Sequence, residues 1–571
     1  MFRRPRCRRL GAGVTFFLGD WPPREWIARF AAQYTHSRMF MNMKSALAFT
    51  ILLIGGSLSA QTKTERAQVE WGNACEEKEH GDFQEVLHLT EDHIYVRVFR
   101  KRSSWIQKFN KDLTMVKERE IIMELDKQDH SPEATLFQEE DILLFTSVYD
   151  KGKDLNTLYV RVFGLGDLAP KGGLKKVHSI PAESKKDQGW FVVEERPTGK
   201  GFQVHVKSSG LEKGDTKRKV MIYSEDLTLE DEVDEDFKMP FEQDEFDTED
   251  VIYAADGSKV VVGRKYPEKQ EKRERKREGK PTYDMVLLAY GPQGGDPQVT
   301  TIPAGDRFLQ DMTLKMPENG DILCAGFWGS KGTWSVRGAY FMRLDRESKA
   351  IVHQSFKEFD DDFITQHLTD KEAEKATKKA EKKGKELEML EFDLDEIISR
   401  EDGGAVLVGE QYRFYVTTNT TSTPNGGTTT TTIYHYVYND IIAINISPEG
   451  DIEWAAKIPK RQHTRNDGGR YSSYALTIKD DKMFFVFNDT GENLMLLPGD
   501  KVQQFELKGK EALITLVTVD ADGHVHREAL LAPDKRDAIL MPKECFQMED
   551  DRMFIYASRK KEYRYGMITF E

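Results

Sequence analysis

Little in this sequence supports a disulfide framework. Only 4 cysteines occur in 571 residues, and the three that follow residue 60, Cys75, Cys324 and Cys545, stand far apart. An odd, scattered set excludes a stapled scaffold and a Cys-x-x-Cys metal knuckle, leaving at most one long-range pair. The chain also lacks an apolar run of the roughly 20 residues that a bilayer-spanning helix needs. Positive charge is the scarcer sign: 83 Lys and Arg stand against 97 Asp and Glu, for a net charge of −14, which argues against a nucleic-acid partner. Motifs of common chemistries are missing too. There is no GxxxxGK[ST], HExxH or GxSxG, and FGLGDLA (163–169), which meets the GxGxxA spacing, runs into Pro170, Gly172 and Gly173. Those residues forbid the helix whose start would receive a pyrophosphate.

What the chain does contain begins with a leader. The stretch MNMKSALAFTILLIGGSLSAQ opens near Lys44, runs apolar from Ala46 to Ile54, loosens at Gly55 and Gly56, and ends on small residues before Gln61. It reads as a secretory signal peptide over 43–60, cleaved after Ala60. Residues 1–42 lie upstream, and Met41 and Met43 offer natural starts, so that stretch reads as an overlong start outside the fold. The expected location is exported, periplasmic or extracellular, with no transmembrane segment after cleavage.

A chain of this length needs several cores or a repeat with many small ones. One unit recurs: an apolar strand, a tight turn carrying acidic residues or glycine, a second apolar strand, a loop, and another hairpin. The first turns are marked by Asp92, Asp141, Gly201, Gly257, Gly320, Gly403, Asp481 and Asp551. In the second hairpins, Ser447-Pro448-Glu449-Gly450 and Asp520-Ala521-Asp522-Gly523 supply the backbone angles that short turns require. Such units cannot bury both faces alone. The expected fold is therefore all-β, a single β-propeller over 61–571 with eight blades favoured, seven as the alternative, and one charged helical insertion. QVEWG (68–72) is expected to supply an outer strand to the last unit.

Long segments between the strands are expected at 229–250 (acidic), 267–281 (basic), 366–391 (helical) and 415–435 (Thr-rich), all on one face, where function usually sits. The acidic run offers clustered carboxylates that suit calcium but lacks the Asp-x-Asp-x-Asp-Gly spacing, so no cofactor and no metal site is assigned. Tyr434, Tyr436 and Tyr438 share one strand face by period two, opposite Tyr412 and Phe414, and aromatic rows of that kind hold sugar rings or stiffen a hairpin. The segment KRQHTRNDGGRYSS (460–473) gathers His463, Arg465, Asp467, Arg470 and Tyr471 in a loop. A His with an Asp makes a base and its orienting partner, whereas Asn466-Asp467-Gly468-Gly469 also forms turns unaided. His524 and His526 share a strand face without a third ligand.

EFDLDEIISREDGGAVLVGEQYRF (391–414) and YNDIIAINISPEGDIEWAAKIPKRQHTRNDGGRYSSYAL (438–476) resemble a family of uncharacterised exported bacterial proteins. The resemblance implies a signal peptide and a propeller-like β-fold and brings no activity or site residues. The functional expectation is a noncatalytic binding or scaffold protein that engages a protein or polysaccharide with one propeller face. A propeller-type hydrolase or lyase acting on carbohydrate is the alternative.

Overall fold

β-Branched and aromatic residues crowd the segments between turns, and those segments pair as strands. The computed structural model describes residues 61–571 apart from short internal stretches, of which 208–216, 532–538 and 507–511 are the longest. The expected signal peptide (43–60), residues 1–42, the turn markers Gly320 and Asp551, and the hairpin tip 423–426 lie outside the described residues. Strands take 60% of the described residues and helices 9%, so the molecule is mostly β. Consecutive strands form antiparallel meanders at 82–121, 131–181, 308–358, 392–458 and 475–531. Two more, at 190–237 and 246–301, merge into one curled eight-stranded sheet where Asp236 and Phe237 pair in parallel with Gly294 and Gly295. A last sheet, built from 539–570, takes Ala67–Trp71 as a further strand with Val69 opposite Ile568. The pairing expected of QVEWG is thus present.

Burial along the strands shows how the sheets stack. Ile322–Gly329 is buried at every position, whereas a strand with a solvent face would alternate. Its even positions Ile322 and Cys324 pack with Val260 and Leu287 of the preceding sheet, and its odd positions Leu323, Ala325 and Phe327 pack with Leu394, Leu407 and Ile444 of the following one. Ala512–Val519 divides in the same way: Ile514 and Leu516 face the last sheet, Val517 and Val519 the one before. Further clusters join 82–121 to 131–181, 131–181 to 190–237, and 190–237 to 246–301. The last sheet also meets the first, where Phe554, Tyr556 and Tyr565 pack with Val96, Val98 and Phe109. Close approach demands glycine at Gly326, because a Cβ there would sit 2.0 Å from the Asp311 carbonyl.

Several expected insertions take another form. Within 229–250, Leu229–Phe237 and Phe246–Tyr253 are strands, leaving a short connection between them. Three of the acidic side chains in the first of these strands are ion-paired: Glu230 meets Arg196 at 2.6 Å, and Lys219 reaches both Glu232 and Asp234. The basic run holds a second helix, Lys269–Glu278, whose Arg275 bridges Glu271 at 2.7 Å and Asp284 at 2.8 Å. The expected helix is Asp370–Lys382, started by a Thr369–Glu372 capping box, with Ala376 and Ala380 resting on the core beneath. The Thr-rich segment is no separate insertion. It continues the second and third strands of its sheet, Ala405–Ser422 and Thr428–Ile446. Cys75, Cys324 and Cys545 are free and buried, so the long-range pair is not formed. No helix among the described residues is long and apolar enough to cross a membrane.

Val69, 1% exposed between the last sheet and its neighbour, tests the role of the N-terminal strand. Val69→Asp buries a carboxylate without a partner and should cost about 3–5 kcal/mol in urea unfolding. Replacing the adjacent, exposed Glu70 by Ala should change stability by less than about 0.5 kcal/mol.

Candidate functional site

The sixth meander, 392–458, carries the feature that departs most from the repeat. Its first strand stops pairing at Phe392 opposite Gln411, yet the second and third strands run on together to Ser422 and Thr428. Threonines, β-branched and polar, keep that extension extended without adding apolar surface. At about 3.3 Å per residue the part beyond Tyr412 reaches roughly 30 Å. A bulge between Glu410 and Tyr412 sets the face each side chain takes.

On one face Tyr412 pairs with Tyr438, Phe414 with Tyr436, and Val416 with Tyr434. Ring centroids lie 4.7 Å apart for Tyr412 and Tyr438 and 5.1 Å for Phe414 and Tyr436, with Phe414 stacked on Tyr434 at 6.4 Å. Exposure rises outward. Tyr438 is 4% exposed, whereas Val416 and Tyr434 are 44% and 45% exposed. Tyr438, expected on the partner face, is therefore a buried anchor whose hydroxyl accepts from Lys543 Nζ at 2.9 Å.

On the opposite face Tyr415 stacks on His435 at 4.3 Å. His435 Nε2 meets Thr417 Oγ1 at 2.8 Å, and its Nδ1 lies 3.1 Å from His463 Nε2. His463 belongs to a strand, Gln462–Arg465, which pairs with His435–Tyr438, so this part of the expected loop is a ladder. Arg465 stands opposite His435 in that register and is exposed. Asp467 closes the turn that follows: its carboxylate accepts from Thr464 Oγ1 at 2.8 Å and from the Gly469 amide at 2.9 Å. Arg470 is exposed beyond that turn, and Tyr471 packs against the core between the first and last sheets. The structure thus brings His463 to His435 and the aromatic hairpin, while Asp467 and Tyr471 serve the local chain path.

Beneath the hairpin lies a polar network that the sequence reading missed. Glu410 and Lys460 are both 0% exposed and pair at 2.7 Å. Lys460 Nζ also donates to the Tyr438 carbonyl at 3.3 Å and to Gln462 Oε1 at 3.2 Å. Gln462 donates to the Asn488 carbonyl at 2.7 Å, and Asn488 Nδ2 donates to the carbonyls of Tyr471 and Leu540. A second buried pair, Asp489 with Arg527 at 2.6 Å, adjoins it. Burial pushes the Lys460 ammonium below its ordinary range and the Asp489 carboxyl above its own, with Glu410 and Arg527 opposing those shifts. The other grouping of note among the described residues, Asp520, Asp522 and His524, is an exposed turn in which Asp520 caps the amides of the other two.

No protein-family model matches the chain, and no curated protein matches it. Among solved structures it is similar to the endo-arabinase from Bacteroides thetaiotaomicron, with 15% identity over 49% of this chain and 94% of the arabinase, at a TM-score of 0.22. It is similar to prolyl oligopeptidase B from Galerina marginata, with 10% identity over 83% of this chain and 55% of the peptidase, at a TM-score of 0.31. A third similarity, to Pyrococcus horikoshii acylaminoacyl peptidase, has 10% identity over 85% of this chain and 59% of the peptidase, at a TM-score of 0.29. The chain spans less than two thirds of either peptidase.

Two tests follow from this geometry. Glu410→Gln removes the carboxylate that pairs directly with the buried Lys460 ammonium and should destabilise by about 3–5 kcal/mol in chemical denaturation, with Glu410→Leu/Lys460→Met recovering most of the loss. The second concerns pH. Burial, then Arg465 and His435, holds His463 below its ordinary pKa, so the unfolded chain takes up that proton first. The stability contributed by the His435–His463 contact is then complete above pH ~6.5 and declines below it. The protection of the Gln462–Arg465 amides, each exchange rate divided by its intrinsic value at the same pH, should fall on acidification, and His463→Gln should flatten that dependence.

Proposed function

We propose that the protein is an exported, noncatalytic binding module whose projecting hairpin engages a polysaccharide. The observation that carries this reading is the row Phe414, Val416, Tyr434 and Tyr436, placed beyond the end of its first strand and continued outward by threonine hydroxyls. Rings of that kind take the apolar face of a sugar, and the hydroxyls that follow exchange hydrogen bonds with its rim. The row itself carries no charge, which suits a neutral chain of sugars. Export rests on the leader read at 43–60.

In this reading the meanders close into an eight-bladed propeller. Six separate sheets and the two halves of the eight-stranded one supply the blades. Apolar clusters link each to the next, and the contact of the last sheet with the first completes the circuit. The outer strand Ala67–Trp71 would then tie the N-terminal end of the fold to the C-terminal blade. The carbohydrate-cleaving alternative asks for two converging carboxylates or for His463 oriented by Asp467. His463 faces His435 and Asp467 binds its own turn, which favours binding over cleavage.

Phe414→Ala/Tyr434→Ala, checked for unchanged circular dichroism, should weaken binding to envelope polysaccharide by about tenfold or more in isothermal titration, the loss expected for two stacked rings. Unchanged polysaccharide affinity, or capture of a protein through the same rings, would sink the reading.

A further inference from the structure

A second concavity has no part in the hairpin reading. A cavity of about 330 Å³ opens among the turns of the first three meanders. It is built from turns that join first strands to second and third to fourth, whereas the hairpin joins a second strand to a third. Its floor is apolar, with Leu136, Phe137 and Leu165, and the His88 ring stacks on Phe137 at 4.3 Å. Its rim is acidic: Glu139, Glu195 and Glu225 line it with a single cation, Lys200.

Polar groups in this cavity are left incomplete. Glu195 forms no ion pair among the described residues, and its carboxylate accepts from the Phe137 amide. Glu195 is exposed at the rim, and partial desolvation by the atoms around it pushes that carboxyl above its ordinary range. His88 is held down to about 4 by burial, so near neutral pH it carries a lone pair and no charge. Its ring nitrogens have no hydrogen-bond partner among the described residues. Gln138 Nε2 is buried at the edge with no acceptor among them.

We propose that this cavity binds a primary ammonium group carried on a short carbon stem. The ammonium supplies the cation that Glu195 lacks and a donor for the His88 lone pair, and the methylenes cover Phe137 and Leu165. An anion would meet three carboxylates, and a neutral guest would cover part of the Glu195 carboxylate without supplying it a cation. The volume lies at the small end of ligand cavities, which run from about 300 to 1,000 Å³. A free amine and a lysine side chain of another protein share this chemistry.

Isothermal titration of the mature chain with 1,5-diaminopentane, Nα-acetyl-lysine amide, pentan-1-ol and glutarate tests the assignment. At least one of the two amines should bind saturably and about tenfold tighter than pentan-1-ol, and Glu195→Gln should remove that advantage, as expected for a charged hydrogen bond. Preference for the diamine identifies a free amine as guest, and preference for the lysine derivative identifies a peptide. His88→Phe keeps the stack and removes the lone pair, so it serves if Glu195→Gln does not fold. Equal binding of alcohol and amines, preference for glutarate, no saturable amine binding, or unchanged affinity in whichever variant folds would each overturn the proposal.

Discussion

The buried Glu410–Lys460 pair ties the projecting hairpin to the body of the molecule. Both groups are removed from water, which is costly unless each remaining hydrogen-bonding position is filled. Lys460 fills its own with the Tyr438 carbonyl and Gln462 Oε1. Those partners belong to the second arm of the hairpin and to the strand that flanks it, so a single ammonium fixes both. Gln462 carries the constraint to Asn488 in the next sheet, and Asn488 carries it to Leu540 in the last one. Three sheets therefore share one set of hydrogen bonds at the root of the projection.

That root explains how an extended hairpin keeps a defined direction. Arg527 reaches the Pro459 carbonyl from one sheet, and Lys543 holds the Tyr438 hydroxyl and lies 4.3 Å from its ring from another. Tyr438 is consequently fixed at the base, Tyr436 rests on Phe414, and exposure rises only beyond them. His435 and Tyr415, stacked on the reverse face, add stiffness where the ladder with Gln462–Arg465 ends. The apolar clusters between sheets supply most of the stability of the body, as expected for a large all-β chain. The polar network supplies direction.

Much of the architecture was legible in the residues. Turn chemistry located the meanders, with Gly201, Gly257 and Gly403 at positive φ, and the short N-terminal strand was recognisable as a partner for the last sheet. Charge misled at 229–237, because a strand exposed along most of its length looks like a loop when its neighbours in sequence are acidic. Only the strand beside it, with Lys219, reveals the pairing. Period two placed Tyr438 on the correct face but said nothing of Lys543, which arrives from 105 residues away. The buried charges were hidden by position: Glu410, Lys460 and Asp489 each stand at or just past the end of a strand-like stretch, where a charge ordinarily marks an exposed end. The histidine pair was half visible, since His463 stood out in its segment while His435 was masked among the tyrosines.

A projecting hairpin exposes a free edge, and this one manages it by composition. From Tyr412 outward the strand Ala405–Ser422 has only its hairpin partner for a ladder among the described residues, a geometry that invites pairing with another chain. Aromatic and apolar side chains stay near the base, where the flanking strand covers one edge, and the outer part changes to threonine and asparagine. Those side chains keep the strand extended while offering little apolar area for association. The division also fixes the rings in advance. The ordering cost of the rings is met during folding, and the hydroxyl-bearing extension is held in the same two-stranded ladder.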